Sequence, residues 1–304
     1  MEGVAVIGPG AIGTWLAWRL SAAVPVQLIG RRRSWLVQAR RGVTVWPEKG
    51  PPGRVGPPRL TPTVTPSGRP AAVFVCVKSA DTASAVKTAR RLAGPDTPVV
   101  SLQNGLAHVA PTVRAFGDRA VFGACLAAVG REGPAGARHH GGDTVWLGAR
   151  KDNRAAAAAA RRILFKAKLH VPPPAREDRV LWTKAVFNAA TNPIGALAAK
   201  TNGALAQVPA LWEIVSAALK EGEAAAKADG HPLLMPGFAE VVRRACLRAP
   251  AQENSMLQDL RAGRPTEAEA ILGPILDAAR RRRTSAPVLD SLRRFLRALE
   301  RELA

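Results

Sequence analysis

Lys184, Asn188 and Asn192 recur every four residues within Leu181–Pro193, a segment that is otherwise largely apolar. On a helix this spacing sets the three side chains along one face. Trp182, Val186, Phe187 and Ala190 then fall on other faces. An ammonium can stabilise negative charge developing on an oxygen and can hand that oxygen a proton. Neutral amides suit a neutral hydroxyl, because no charge has to be desolvated. The plain alternative is a solvated face, or asparagines that bond locally to backbone. Pro193 disfavours helical geometry at Asn192, which predicts a kink or a helix end there.

A carboxylate partner is offered by the segment Asn254–Glu267. Arg261-Ala-Gly-Arg-Pro265 breaks one helix, and Thr266 can cap the next, with Glu269 completing a capping box. That leaves Glu267 in the first turn with no capping task, where the helix dipole favours its ionised form. An ionised carboxylate near Lys184 would hold the ammonium in place and keep it charged.

The elements that position such groups are legible from the N-terminus. Val4-Ala-Val-Ile7 is a short apolar run, followed by Gly8-Pro9-Gly10-Ala11-Ile12-Gly13 and then an apolar helical pattern. This is the strand–turn–helix context of a dinucleotide site: Gly8 for the tight turn, Gly10 for close approach of a pyrophosphate, Gly13 for helix–strand packing. The helix N-terminus adds N–H donors and a positive dipole end. An ordinary glycine-rich turn without ligand is the competing reading. The second strand, Val26–Ile29, ends in Gly30-Arg31-Arg32-Arg33 instead of the acid that would hold a ribose 2′-OH. Arg31, nearest the strand end, has the planar fork that suits a 2′-phosphate. NADP(H) is therefore the expected cofactor. Lys78 and Asn104 follow the next two strand-like runs, Val73–Val77 and Pro98–Leu102, at the carboxyl edge where ligands bind in such sheets.

Ala120–Val129 and Thr144–Gly148 read as further strands, residues 153–168 as an Ala-rich helix, and the Pro- and Gly-rich stretch Glu48–Pro70 as a surface excursion. Val171-Pro-Pro-Pro174 stops the alternation. Beyond it the segments 177–192, 209–228, 236–248, 254–263, 266–283 and 286–302 are helical in period or composition. The expected organisation is an α/β Rossmann-like dinucleotide-binding domain, 1–172, followed by an all-α domain, 173–304, that carries substrate binding and catalysis.

The chain has 304 residues and 47% hydrophobic content, enough for two cores. No apolar stretch of about 18 residues occurs, which argues against a membrane span, and no signal peptide is evident. Cys76, Cys125 and Cys246 are isolated, without metal-ligand spacing, and read as reduced thiols of a cytoplasmic protein. The net charge of +21 is spread along the chain. The strongest cluster, Arg280–Arg283, sits at a helix end where cations complement the dipole. Attraction of anionic small molecules is the expected consequence, with nucleic acid binding a lesser reading.

Together these motifs resemble the ketopantoate reductase family (2-dehydropantoate 2-reductase) over nearly the whole chain. The resemblance runs through residues 8–13, Arg31, Val77-Lys78, Leu102-Gln-Asn-Gly105, Trp182-x-Lys-x-x-x-Asn-x-x-x-Asn-Pro193, Asn202-Gly203, Ser255-Met-Leu-Gln-Asp259 and Thr266-Glu267. It implies NADPH-dependent reduction of 2-dehydropantoate to pantoate on the route to pantothenate and coenzyme A. It also implies roles. Gly8, Pro9, Gly10, Ala11, Ile12 and Gly13 would cradle the cofactor, and Arg31 and Lys78 would hold its phosphate end. Asn104 would lie between nicotinamide and substrate. Lys184 would be the proton donor, Asn188 and Asn192 would bind the substrate hydroxyl, and Ser255 its carboxylate. Glu267 would pair with substrate and lysine. Three features depart from the family: Ala204 where many members carry an acid, Glu269 where Asp or Asn is usual, and the Pro-rich excursion. Another 2-oxo acid as substrate, or a nucleotide-sensing protein on the same fold, are the alternatives; a homodimer stays open.

Overall fold

The computed structural model describes residues 3–302. Its contacts divide the chain into two units. One runs to Gln103 and resumes over His108–Glu177; the other comprises Asn104–Ala107 and the chain from Asp178 onward.

The first unit opens with β1 (Val4–Ile7), α1 (Ala11–Ser21), β2 (Val26–Ile29), α2 (Arg33–Ala39), β3 (Val43–Trp46), β4 (Gly53–Val55) and β5 (Leu60–Thr63). There follow β6 (Val73–Val75), a 3₁₀ turn at Ser79–Asp81, α3 (Thr82–Leu92), β7 (Val99–Ser101), α4 (Val109–Phe116) and β8 (Ala120–Cys125). The unit closes with β9 (Ala128–Arg131), β10 (Gly136–Gly141), β11 (Val145–Ala149), α5 (Arg154–Lys166) and β12 (Ala175–Arg176). Among the described residues these form an eight-stranded sheet, in the order β12-β11-β8-β7-β6-β1-β2-β5, and a four-stranded sheet, β4-β3-β10-β9. From β5 to β8 neighbouring strands of the large sheet are parallel, with Ile7 in register with Ile29 on one side and Val75 on the other. β11 joins antiparallel to β8. The chain leaves β1 for β2 on one side and later returns to β6 on the other. The carboxyl ends of β1 and β6 therefore flank the switch point where such sheets bind ligands.

The small sheet explains an unusual helix. α1 packs on β1 and β2 and also on β3, β9 and β10. Trp15, Leu16, Ala17 and Leu20 are fully buried, as expected for a helix apolar on most of its faces. This second sheet was not anticipated: the run read as one strand over Ala120–Val129 is two strands, β8 and β9, in different sheets. The Glu48–Pro70 stretch is more than a surface excursion. It contains β4 and β5, and Leu60 is fully buried. β5 is the sheet edge, where Pro62, lacking an N–H, is tolerated.

Two buried polar groups mark this unit. Glu177 accepts from Arg150 Nη1 at 2.6 and 2.8 Å and from Asn153 Nδ2 at 3.1 Å. Burial pushes its carboxyl above the ordinary carboxylate value, and Arg150 pulls it back. His108, at the N-terminus of α4, is 1% exposed and packs on Phe122 at 5.6 Å between ring centroids. Neither ring nitrogen has a hydrogen-bond partner, and burial pushes its pKa down to about 4.

The second unit is helical: α6 (Glu177–Leu197), α7 (Asn202–Gln207), α8 (Pro209–Ala228), α9 (Phe238–Arg248), α10 (Ser255–Arg261), α11 (Ala268–Arg282) and α12 (Pro287–Glu302). The first residue of α6, Glu177, belongs by its contacts to the first unit. Of the kink or helix end expected at Asn192, the helix end is not found. α6 continues through Pro193 to Leu197, because Ile194 and Ala196 are buried in the helical core. Burial outweighs the loss of one backbone bond to the proline. α7 was not anticipated, and it accounts for Asn202-Gly203. A Cβ on Gly203 would stand 2.7 Å from Pro250 Cβ, and both backbone N–H groups donate to the 250–252 segment. Arg281 and Arg282 at the end of α11 bind Asp229 at 2.7 and 2.9 Å. No helix among the described residues is long and apolar enough to cross a membrane.

Candidate active site

The glycine-rich turn divides its labour. Gly8 has φ +106°, and a Cβ there would meet Val77 Cγ1 at 2.7 Å and the Cys76 backbone at 2.9 Å. A Cβ on Gly13 would stand 1.9 Å from the Gly8 carbonyl oxygen. Packing of the turn on β6 and of α1 on the turn fixes both positions as glycine. Gly10 is different: nothing lies within 4 Å of the place its Cβ would take. It is the N-cap of α1, with no side-chain cap and no acid in the first turn. Pro9, Ala11 and Ile12 beside it are partly exposed. Open space before uncapped N–H groups fits an anion that approaches backbone closely, so these residues fit the pyrophosphate of a dinucleotide.

Arg31 follows β2 with its guanidinium 2.8 Å from Asp81 Oδ1. Asp81 ends the 3₁₀ turn whose N-cap is Lys78, and its N–H donates to the Lys78 carbonyl at 2.9 Å. Asp81 thus meets Arg31 through its carboxylate and Lys78 through the backbone. Gln103 joins the same edge: it accepts from Ser101 Oγ at 3.1 Å and donates to Thr82 Oγ1 at 2.9 Å. Its role is to hold the end of β7 to the 79–82 turn, and its burial in a polar network is invisible in sequence.

In the helical unit the stripe is real. Asn188 is 3% exposed, Asn192 is buried and Lys184 half-buried, one turn apart along α6. Asn188 Nδ2 donates to Asn104 Oδ1 at 3.0 Å, so the 104–107 segment meets α6 here. Thr191 Oγ1 donates to the Phe187 carbonyl at 2.9 Å and approaches Asn192 Oδ1 at 3.4 Å. Lys184 Nζ stands 4.8 Å from the centre of the Phe187 ring. Its charge is felt at Cys246, whose thiol burial pushes up to about 11 and Lys184 draws back.

The same segment also docks on α11. Leu106 N–H donates to the Ala270 carbonyl at 3.4 Å, and a Cβ on Gly105, at φ +76°, would stand 2.3 Å from that oxygen. Gly105 is thus required beside Asn104, a positioning role the Gln-Asn-Gly motif only hinted at. Glu267 occupies the N-cap of α11 instead of its first turn. The expected capping box does not form. Thr266 Oγ1 accepts from Ala268 N–H at 3.1 Å, but its own N–H and hydroxyl donate to Glu300 of α12 at 2.9 and 2.5 Å. Glu269 instead faces Arg293 at 3.7 Å. The acceptor comes from a neighbouring helix, which displaces the local one.

Ser255 is the exposed first residue of α10. Asn254 caps that helix, accepting from Leu257 N–H at 3.0 Å. Its Nδ2 is buried against Gly195, where a Cβ would come within 2.3 Å. By contacts, residues 8–13, Arg31 and Lys78 belong to the first unit. Asn104, Lys184, Asn188, Asn192, Ser255 and Glu267 belong to the second.

The family model described as ketopantoate reductase PanE/ApbA matches residues 4–152, and that for the ketopantoate reductase PanE/ApbA C terminal matches residues 178–300. The 2-dehydropantoate 2-reductase of Halobacterium salinarum is 30% identical over 98% of this chain and 99% of its own length. That of Pyrococcus horikoshii is 27% identical over 97% and 96%. Among solved structures, D-mandelate dehydrogenase with NADH and anilino(oxo)acetate aligns over 99% of both chains with TM-score 0.90 at 20% identity. A ketopantoate reductase from Ralstonia eutropha aligns over 99% of both chains with TM-score 0.83 at 24% identity. The dimeric ketopantoate reductase of Staphylococcus aureus aligns with TM-score 0.81 at 22% identity, over 99% of this chain and all of that one.

Proposed function

Because the chain belongs to the ketopantoate reductase family of oxidoreductases, we propose that it reduces 2-dehydropantoate to pantoate with NADPH, in the route to pantothenate and coenzyme A. The observation that carries this reading is the Asn188–Asn104 hydrogen bond with Lys184 one turn away on the same helix. It gathers paired amides and an ammonium from separate segments.

Bound at Gly8–Gly13, with its phosphate end at Arg31 and Lys78, reduced NADP would supply hydride to the ketone carbon. Negative charge then develops on the ketone oxygen. Lys184 Nζ stabilises that charge and transfers its proton to the oxygen. Glu267 holds the ammonium in place. Asn188 and Asn192 bind the substrate hydroxyl, Asn104 positions the substrate face, and Ser255 receives the carboxylate. In this reading the protein works in the cytoplasm and takes no nucleic acid. The dimeric relative makes a homodimer the assembly to look for.

The test is a turnover assay with NADPH, following loss of nicotinamide absorbance, on 2-dehydropantoate and a panel of 2-oxo acids. 2-Dehydropantoate is expected to give the highest kcat/KM. Asn188→Ala or Asn192→Ala should raise its KM by one lost hydrogen bond, about 1–2 kcal/mol. A 2-oxo acid lacking the hydroxyl should respond much less. Equal losses on both would show that the amides hold the fold and do not read the hydroxyl. For the cofactor, Arg31→Ala should weaken NADPH binding far more than NADH binding. Equal losses would remove Arg31 as the reader of the 2′-phosphate.

A further inference from the structure

Arg31 follows the end of β2, where a site of this architecture meets the adenosine ribose. Its guanidinium is already engaged: Nη2 lies 2.8 Å from Asp81 Oδ1. Asp81 also precedes α3, but its backbone (φ −95°, ψ 1°) lacks the extended geometry from which an aspartate caps the following turn. It makes no capping bond. Its carboxylate reaches Arg31 instead, so the acid absent from the end of β2 is supplied in space by the turn after β6.

We propose, resting on the dinucleotide reading above, that Asp81 is a specificity-determining residue: it competes with the 2′-phosphate for Arg31 and narrows the preference of this chain for NADPH over NADH. A phosphate monoester carries about −1.5 to −2 charges at neutral pH. To reach Arg31 it must share one guanidinium with Asp81 or displace it, and anions that close repel at distances shorter than the screening length. A ribose with a bare 2′-hydroxyl brings no charge, and the Arg31–Asp81 pair persists beside it. The side chains are 60% and 32% exposed, so the pair adds little to folding stability, and its consequence falls on binding. The opposite role, in which Asp81 orients Arg31 for the phosphate, predicts the opposite sign.

Asp81→Asn keeps the size of the side chain while removing the charge. The full chain and the variant are titrated separately with NADPH and with NADH by nicotinamide fluorescence. The Kd for NADPH is expected to fall about tenfold in the variant, with the Kd for NADH changing about twofold or less. With Arg31→Ala also present, the gain from Asp81→Asn should vanish, because no fork is left to contest. An unchanged or weaker NADPH affinity, or equal gains for both nucleotides, overturns the proposal. If the unsubstituted chain binds neither nucleotide, the cofactor reading falls and this proposal with it; binding with the wrong sign removes the role of Asp81 alone.

Discussion

Lys184→Ala is expected to lower kcat by about 10²–10⁴-fold, the usual worth of a placed general acid, while NADPH affinity stays nearly intact. In the proposed mechanism the ammonium acts on the ketone oxygen and not on the cofactor, so the loss should fall on the chemical step. Glu267→Ala should also lower kcat, since it removes the carboxylate that, in the proposed mechanism, holds the Lys184 ammonium in place. The double variant should be impaired far less than the product of the single losses, as for residues acting as a unit. Multiplicative losses would assign the two residues independent roles. Near-normal turnover in folded Lys184→Ala would remove the mechanism. Single-turnover rates with saturating NADPH, alongside NADPH titrations of each variant, make the measurement.

The second large effect concerns stability in acid. Buried His108 titrates near 4 in the folded protein, against an ordinary value of 6.5. The unfolded chain therefore takes up its proton first as pH falls. The stability linked to His108 is complete above about pH 6.5 and is lost progressively as pH drops towards 4, amounting to ~3 kcal/mol. His108→Leu removes the ring and its two unpartnered nitrogens. The variant should be at least as stable as the parent at neutral pH, since an orphaned buried polar group costs free energy. Its stability should fall less steeply between pH 6.5 and 4. Denaturant unfolding of both proteins across that range reads the difference directly, since carboxylates contribute to both curves alike. Parallel curves would mean that His108 is hydrated or paired in solution.

What the sequence discloses depends on whether a residue's task is local. The turn at 8–13 announces itself because strand, glycines and helix are contiguous, and the amide stripe on α6 because four-residue spacing is a property of one helix. The small sheet did not announce itself: Val43–Trp46 and Gly136–Gly141 pair with each other across a long stretch of chain, and their burial comes from α1. The capping box at Thr266 is locally well formed in sequence. It loses to Glu300, 34 residues away. Asp81 is silent in the sequence because its meaning depends on Arg31, brought beside it only when β2 and β6 flank β1. Gln103 and Gly105 were visible as motif letters, yet their reasons, a buried network and a carbonyl on α11, are tertiary.

The enclosure of α1 between two sheets has a kinetic side. A helix covered on most of its faces exposes its amides only when the whole unit opens, so α1 is expected among the slowest-exchanging parts of the protein, a point hydrogen exchange would read. The Gly8–Gly13 turn is fastened to that helix and to β6, and inherits its rigidity. Arg31 and Asp81 lie on partly exposed segments joined by a surface ion pair, the kind of region that rearranges within nanoseconds to microseconds. If the cofactor binds as proposed, holding its pyrophosphate and reading its ribose fall to parts of the chain that move on separate clocks. A lineage can retune which nucleotide it prefers through the fast part while the slow part stays untouched.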